Sequence, residues 1–530
     1  MARLPSKMPL LGALLIGLVV AYPLIGLGLA IIDRPADPFS GSVMPLDTLL
    51  TGARVWPLLA RSVFLAVCVS LGSVTTGGWL AWIEHRTNAP RWWSLLSLMP
   101  MAMPSYLVAA TARSALSPGG WLGDMLGTGH TTGFGMAVAV LVVITAPLSQ
   151  LIIGAALRRS SAAEEEAART LGASPARVFW DVILPRIRPA IGFSGLIALL
   201  YAISDFGAVA VLDVPVLTWR LYLAVESQDI ARAAVLGGAT LAATLPLFLA
   251  ARRIRGQRVG AGTANVRRVQ RAPATAPQRA ITGSILFGVV GLGAAIPTIT
   301  LLIWVTDGLR RGLTFVNPWG ALGDTLLAAV AGAALTVLLA GLPAFAIAKR
   351  QRLGQPPGWL EEGVYASSAL PGVLLALGLM LTTLWLTGWL GPGTYAGVLG
   401  SGALLMLGYA TRFIAEVFAP LRDAFSAIDE RQIDSARALG ARPLKRLRTV
   451  VLPAVSPGLA VAAMIGFNAI VKELPVTLLL GGATGLKTLS FRVWDRYNES
   501  LWHDAGVAGL LLVALALTSA VFTHQWRRNG

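Results

Sequence analysis

Side chains able to carry chemistry are sparse in this 530-residue chain. The four histidines, His85, His130, His503 and His524, and the single cysteine, Cys68, form no metal-ligand spacing such as H-x-x-x-H. They read as interfacial histidines and a packed cysteine, which excludes an internal disulfide and a thiolate metal site. A phosphate loop needs G-x-x-x-x-G-K-[ST], yet none of Lys7, Lys349, Lys445, Lys472 and Lys487 directly follows glycine. No nucleophile and base, and no metal cluster, recur on apolar segments, so membrane-embedded catalysis is not expected. What remains is a pair of acids within apolar sequence, Asp205 and Glu473, and one polar segment that occurs twice.

Glu164 to Pro189 reads EEEAARTLGASPARVFWDVILPRIRP, and Gln432 to Pro457, 268 residues on, reads QIDSARALGARPLKRLRTVVLPAVSP. Gly172 matches Gly440, Pro175 matches Pro443, Leu184-Pro185 matches Leu452-Pro453 and Pro189 matches Pro457, without a gap. The first copy opens with strong helix formers, Gly172 is placed to end that helix in the left-handed region, and Ser174-Pro175 starts a second helix as cap and first-turn proline. Glu165 and Arg169 are spaced to pair, as are Asp434 and Arg437, and Ala167, Ala168, Leu171, Ala436, Ala438 and Leu439 offer small or apolar surface. A compact helix, glycine turn and helix suits the groove of a partner protein. An amphipathic helix lying among lipid headgroups is the plainer alternative, but it would not require the glycine and the Leu-Pro at fixed spacing in both copies.

The elements that carry these segments are membrane helices. With 55% hydrophobic and 13% charged residues and a mean hydropathy of +0.68, the chain cannot coat a soluble globule. A bilayer core takes about 20 apolar residues per helix, and twelve such runs are read at 8–32, 61–83, 92–113, 133–157, 189–212, 232–251, 280–306, 321–348, 360–386, 396–420, 456–482 and 505–524. The runs are continuously apolar rather than alternating, which excludes an outer-membrane barrel. The first is too long for a signal peptide and lacks a cleavage pattern, so it reads as an uncleaved helix.

The formal net charge of +17 reports topology more than a nucleic-acid partner. Six arginines lie between Arg158 and Arg188, eight between Arg252 and Arg279, and seven lysines or arginines between Arg422 and Arg448, while the alternate loops hold far fewer. The positive-inside rule then puts both termini and both repeated loops in the cytoplasm. The basic segment 252–279 lacks apolar periodicity and reads as a linker between a first six-helix half, 1–251, and a second, 280–530. Six is even, so the halves are parallel repeats, a fused pseudo-dimer. MAMPSYLVA around Pro104 and SALPGVLLA around Pro371 add a further match.

The pattern E-A-A, three residues, G, then I or V before L-P resembles the loop of binding-protein-dependent ABC importer permeases. Glu166, Ala167, Ala168 and Gly172 carry it in the first copy, and Asp434, Ser435, Ala436 and Gly440 in the second, with the mild departures Glu to Asp and Ala to Ser. The resemblance implies a type I importer permease in the bacterial inner membrane, multi-pass, with each loop acting as a coupling helix on one of two cytoplasmic ATPase subunits. It implies no cofactor on this chain, ATP and Mg being used by the ATPase, and delivery of cargo by a periplasmic solute-binding protein. SDFGAVAVLD from Ser204 and VKELPVTLLL from Val471 look most like ferric-iron importers, with thiamine or polyamine importers as alternatives and an ion-coupled secondary transporter as the alternative of another class.

Asp205 and Glu473 share the 268-residue offset. Each stands roughly 16 residues into the run after the repeated loop, about 24 Å along a helix and so towards the outer side of a core about 30 Å thick. With Lys472 they are pathway candidates, attracting a cation or lining a gate; structural ion pairs or helix caps, with Pro475 ending the helix, are the alternative. Arg412 and Glu416, four apart, read as an ion pair without a transport role.

Overall fold

The computed structural model describes residues 21–29, 50–127, 131–159, 162–256, 273–355, 358–391 and 393–529, besides the isolated residues 17, 32 and 129. Most of the first apolar run and the centre of the basic linker lie outside the described residues. In chain order the principal helices are α1 (Val55–Arg86), α2 (Arg91–Leu98), α3 (Ser105–Leu116), α4 (Phe134–Arg158), α5 (Ala162–Thr170), α6 (Leu184–Ser204), α7 (Gly207–Val211), α8 (Leu217–Glu226), α9 (Ile230–Gly256), α10 (Ala276–Val290) and α11 (Ile296–Arg310). They continue as α12 (Trp319–Arg352), α13 (Trp359–Ala366), α14 (Gly372–Gly388), α15 (Ala403–Ser426), α16 (Glu430–Ala438), α17 (Leu452–Val471), α18 (Pro475–Gly481), α19 (Leu489–Asn498) and α20 (Trp502–Asn529). The described residues hold no strand, as a chain that must satisfy its backbone inside lipid by helices requires.

Among the described residues eight helices are long and apolar enough to cross a membrane, a bent pair adds a ninth, and two shorter apolar helices match the runs at 360–386 and 505–524. The all-α polytopic class and the duplicated order of elements agree with the sequence reading. Four runs that hydropathy reads as single helices are broken. Helix 92–102 meets α3 at a 96° bend, because Pro104 has no N–H to donate and restricts Met103 to extended backbone (φ −87°, ψ 136°). Pro371 does the same to Leu370 (φ −86°, ψ 115°) between α13 and α14. The run 189–212 breaks at Asp205 and 456–482 breaks just before Pro475.

The packing divides into two compact units, residues 46–223 with 238–310, and residues 1–45 with 224–237 and 311–530. In the first, α1, α4 and α6 pack together as the central bundle. The helix 276–310, which opens the second half of the sequence, packs here: Trp79 Nε1 donates to Thr282 Oγ1 at 3.0 Å, Trp121 Nε1 to Thr300 Oγ1 and Trp304 Nε1 to Ser114 Oγ, both at 3.1 Å. The second unit is built alike on α12, α15 and α17. There the segment 21–29 crosses α14 backbone to backbone: Gly26 and Gly378 sit where a Cβ would strike Thr382 and Pro23, and Gly26 N donates to Thr382 Oγ1 at 2.8 Å. Segment 21–29 of the first sequence half thus packs with the body of the second, and the helix 276–310 of the second half with the body of the first, an exchange no hydropathy pattern carries.

Matching hydroxyls hold matching joints. Ser62 Oγ accepts from Leu217 N at 3.0 Å at the start of α8, and Thr325 Oγ1 accepts from Leu489 N at 2.8 Å at the start of α19. Thr218 Oγ1 donates to the Asp205 carbonyl at 2.7 Å, and Ser490 Oγ to the Val471 carbonyl at 2.8 Å. Each tie satisfies backbone groups orphaned at a helix end.

Candidate functional site

Both repeated loops adopt one conformation. After α5, Gly172 takes φ +85°, its N–H donates to the Arg169 carbonyl at 2.9 Å, and Ala173 N–H reaches back to the Ala168 carbonyl at 3.0 Å. After α16, Gly440 takes φ +77°, with Gly440 to Arg437 at 2.9 Å and Ala441 to Ala436 at 3.0 Å. This pair of bonds is the Schellman stop, which needs a left-handed residue just past the helix. Ala168 and Ala436 are the residues whose carbonyls receive the returning chain, and both are half-buried beneath it. Ser174 then caps the next turn, accepting from Arg177 N at 3.3 Å with Pro175 in first position.

The stop aims one apolar side chain outward in each copy. Leu171 is 88% exposed and Leu439 87%, matched to within a percentage point, and no described residue covers either. Glu166 and Ala167, and Asp434 and Ser435, are exposed alongside. The surface offered is a short helix with acid and small residues on its flank and a leucine at its tip.

The Leu-Pro of each copy also has a structural origin. Helix hydrogen bonding widens to i→i+5 over Phe179–Ile183, with Leu184 N donating to the Phe179 carbonyl, and over Leu447–Val451, with Leu452 N donating to Leu447. Pro185 and Pro453 follow; each lacks an N–H and pushes away the carbonyl four residues back, so the preceding turn opens. Gly291–Ala295 widens in the same way ahead of Pro297.

The first loop is rooted in its bundle by a side chain the spacing argument did not find. Glu165 lies 3.9 Å from Arg169, as its position four residues earlier suggests, but its closer partner is Arg86 at the end of α1, 2.8 Å away. The pairing joins residues 79 apart in sequence, and no local pattern marks it.

Asp205 is buried at the break between α6 and α7. Its Oδ1 accepts from Ala208 N at 2.9 Å and its Oδ2 from Ser105 Oγ at 2.6 Å, so it caps α7 and ties it to α3. Glu473 does the equivalent in the second unit, its Oε1 accepting from Val476 N at 3.2 Å at the start of α18. Where Ser105 stands in the first half the second has Gly372, and a Cβ there would come within 3.0 Å of Glu473 Oε1. A short acid with a hydroxyl is replaced by an acid longer by one methylene against a bare glycine. Lys472 is half-buried beside it at the end of α17. Both acids therefore serve as caps, and each capped break is a place where polar backbone turns inside membrane depth, tolerated only when protein or water faces it.

Arg412 donates from Nη1 to the Leu370 carbonyl at 3.0 Å, satisfying the backbone that Pro371 frees. Glu416 is the one exposed residue between Leu404 and Arg422 on α15, an otherwise enclosed span. Its electrostatic partners are Arg412, as the four-residue spacing suggests, and Lys472 at the end of α17. Among the described residues no group of three or more His, Cys, Asp or Glu side chains is placed to hold a metal ion.

A polytopic helical protein with a duplicated bundle, a kinked third and fifth span in each half and one rigid loop per half is a transport permease in form. Residues 73–256 and 338–526 each match the family of binding-protein-dependent transport system inner membrane components, and the chain belongs to that family. It is 26% identical to the Fe(3+)-transport system permease protein FbpB 2 of Haemophilus influenzae, over 88% of this chain and 89% of that one. It is 29% identical to the sulfate transport system permease protein CysW of Synechocystis, over 47% of this chain and 93% of the relative, and 31% identical to the molybdenum transport system permease protein ModB of Azotobacter vinelandii, over 23% and 54%. A relative matched over nearly its whole length by less than half of this chain is what a fused pair of permease halves predicts. The chain is an inner-membrane, multi-pass permease of an ABC importer, and these relatives are transport permeases.

Proposed function

We propose that this permease carries ferric iron, delivered by a periplasmic solute-binding protein and driven by two ATPase subunits seated on the loops around Gly172 and Gly440. Both loops and both termini face the cytoplasm in this reading, which the arginine distribution supports. The observation that supports the docking role is the duplication itself: two loops with the same left-handed stop each present a leucine, 88% and 87% exposed, that the described residues leave uncovered. ATP-driven closure of the ATPases would move both loops, and with them the spans that follow, so that the pathway opens alternately to the two sides. Asp205, Lys472 and Glu473 stand at the breaks of those spans, where polar groups can meet a passing solute without meeting lipid.

Iron rests on the relative matched along most of both chains. Sulfate or molybdate is the second reading, because oxyanion permeases match one half of the chain. Proteoliposomes holding the permease with the ATPase and binding protein encoded beside it are expected to accumulate radioactive ferric iron. Excess sulfate, molybdate, thiamine or spermidine should leave that uptake unchanged. Accumulation of one of these solutes in place of iron would overturn the cargo and leave the importer standing.

A further inference from the structure

We propose that Arg86 and Glu165 form the joint that transmits movement of the first loop to the helix bundle, and that the second loop, with Ile433 in place of Glu165, cannot form the same pair, so the two loops couple unequally. This rests on the docking role proposed above. Arg86 Nη1 donates to Glu165 Oε2 at 3.0 Å while Nη2 lies 2.8 Å from Oε1, a two-pronged pair with side chains only 7% and 2% exposed. Arg86 ends α1, and its guanidinium lies 5.6 Å from the centre of the Trp82 ring one turn earlier. Trp82 in turn meets Phe179 edge to face at 5.3 Å, and Phe179 opens the widened turn that leads into α6. Glu164 adds an ion pair to Arg186 on α6. The loop's Ala168 and Ala173 pack on the same apolar cluster, with Ile153 and Leu157 of α4 and Ile183 and Ile187 around the Leu-Pro turn. A push on α5 therefore reaches α1, α4 and α6 through rigid contacts, and a buried fork-to-fork pair fixes direction as well as distance.

The second loop is built otherwise. Ile433 stands at the position of Glu165, so the same pair cannot form there, and a half-buried ion pair of that unit, Arg422 with Glu361 at 2.6 Å, joins α15 to α13. Among the described residues the apolar cluster around α12 and α15 includes no residue of α16.

Arg86→Lys keeps the charge and loses the fork. In proteoliposomes with the ATPase and binding protein, this variant is expected to reach wild-type levels, retain the ATPase and hydrolyse ATP, but to move about tenfold less cargo per ATP. Glu165→Gln should act alike, whereas Ile433→Gln in the second loop should change the ratio less than about twofold. A wild-type ratio in Arg86→Lys, or an equal loss in Ile433→Gln, overturns the joint. If Arg86→Lys fails to accumulate in the membrane, Glu165→Gln decides in its place, and failure of both assigns the pair to stability and likewise overturns the joint. Loss of ATPase association in neither these variants nor in Leu171→Asp would instead strike the docking role, so the two failures are separable.

Discussion

A Leu171→Asp, Leu439→Asp double variant is expected to insert and fold as the wild type does, yet to lose its ATPase and all ATP-driven uptake. Both side chains are almost fully exposed, so the permease forgoes little packing by the change. Burial of a leucine in a partner's groove is worth about 1.5–3 kcal/mol; losing two lowers association by roughly two to four orders of magnitude. A carboxylate forced into an apolar groove adds a desolvation cost. Co-purification of the ATPase with tagged permease reads the effect directly. Retained ATPase with normal uptake would show that the leucines are not docking surface. Each single variant should fall between wild type and double variant, since two sites share the load.

The second large effect is expected from Gly172→Val with Gly440→Val. Nothing lies within 4 Å of a Cβ at either position, so the penalty is not a clash with neighbours. It lies in the backbone: φ values of +85° and +77° cost an L-residue about 1–2 kcal/mol each, and a β-branched side chain more. The turn would give up its Schellman bonds and re-aim the leucine beside it. Membrane insertion should be intact and ATP hydrolysis should continue, while cargo moved per ATP falls at least about tenfold. Asparagine, which tolerates the left-handed region, should restore much of the ratio at both sites. Normal coupling in the valine double variant would remove the loops from the mechanism.

The loops were legible because their geometry is local. Six residues from Ala168 to Ala173 set the stop, and the glycine, the small alanine and the Ser174-Pro175 start can each be read from residue type. The apolar runs from 61–83 onward were legible for a similar reason, since apolar length needs no tertiary information. Hydropathy is blind to backbone breaks: the run 92–113 is apolar throughout although Pro104 turns it by 96°, and Asp205 was visible as an acid but its capping of α7 was only one of two readings. Contacts between distant segments left no trace at all. Arg86 with Glu165 and the crossing of Gly26 with Gly378 depend on surfaces that only packing brings together. Glu416 shows both sides at once: its electrostatic partners are Arg412, four residues earlier as the spacing suggests, and Lys472 at the end of α17, which no spacing marks.

Cargo accumulation by proteoliposomes supplied with ATP, with the ATPase present or omitted, tests the central claim most directly. The account predicts uptake against a gradient that requires ATP, the ATPase and the solute-binding protein together, and that stops when any one is left out. Uptake that proceeds at the same rate without the ATPase, driven by a proton or sodium gradient, would contradict it and return the chain to the secondary transporters.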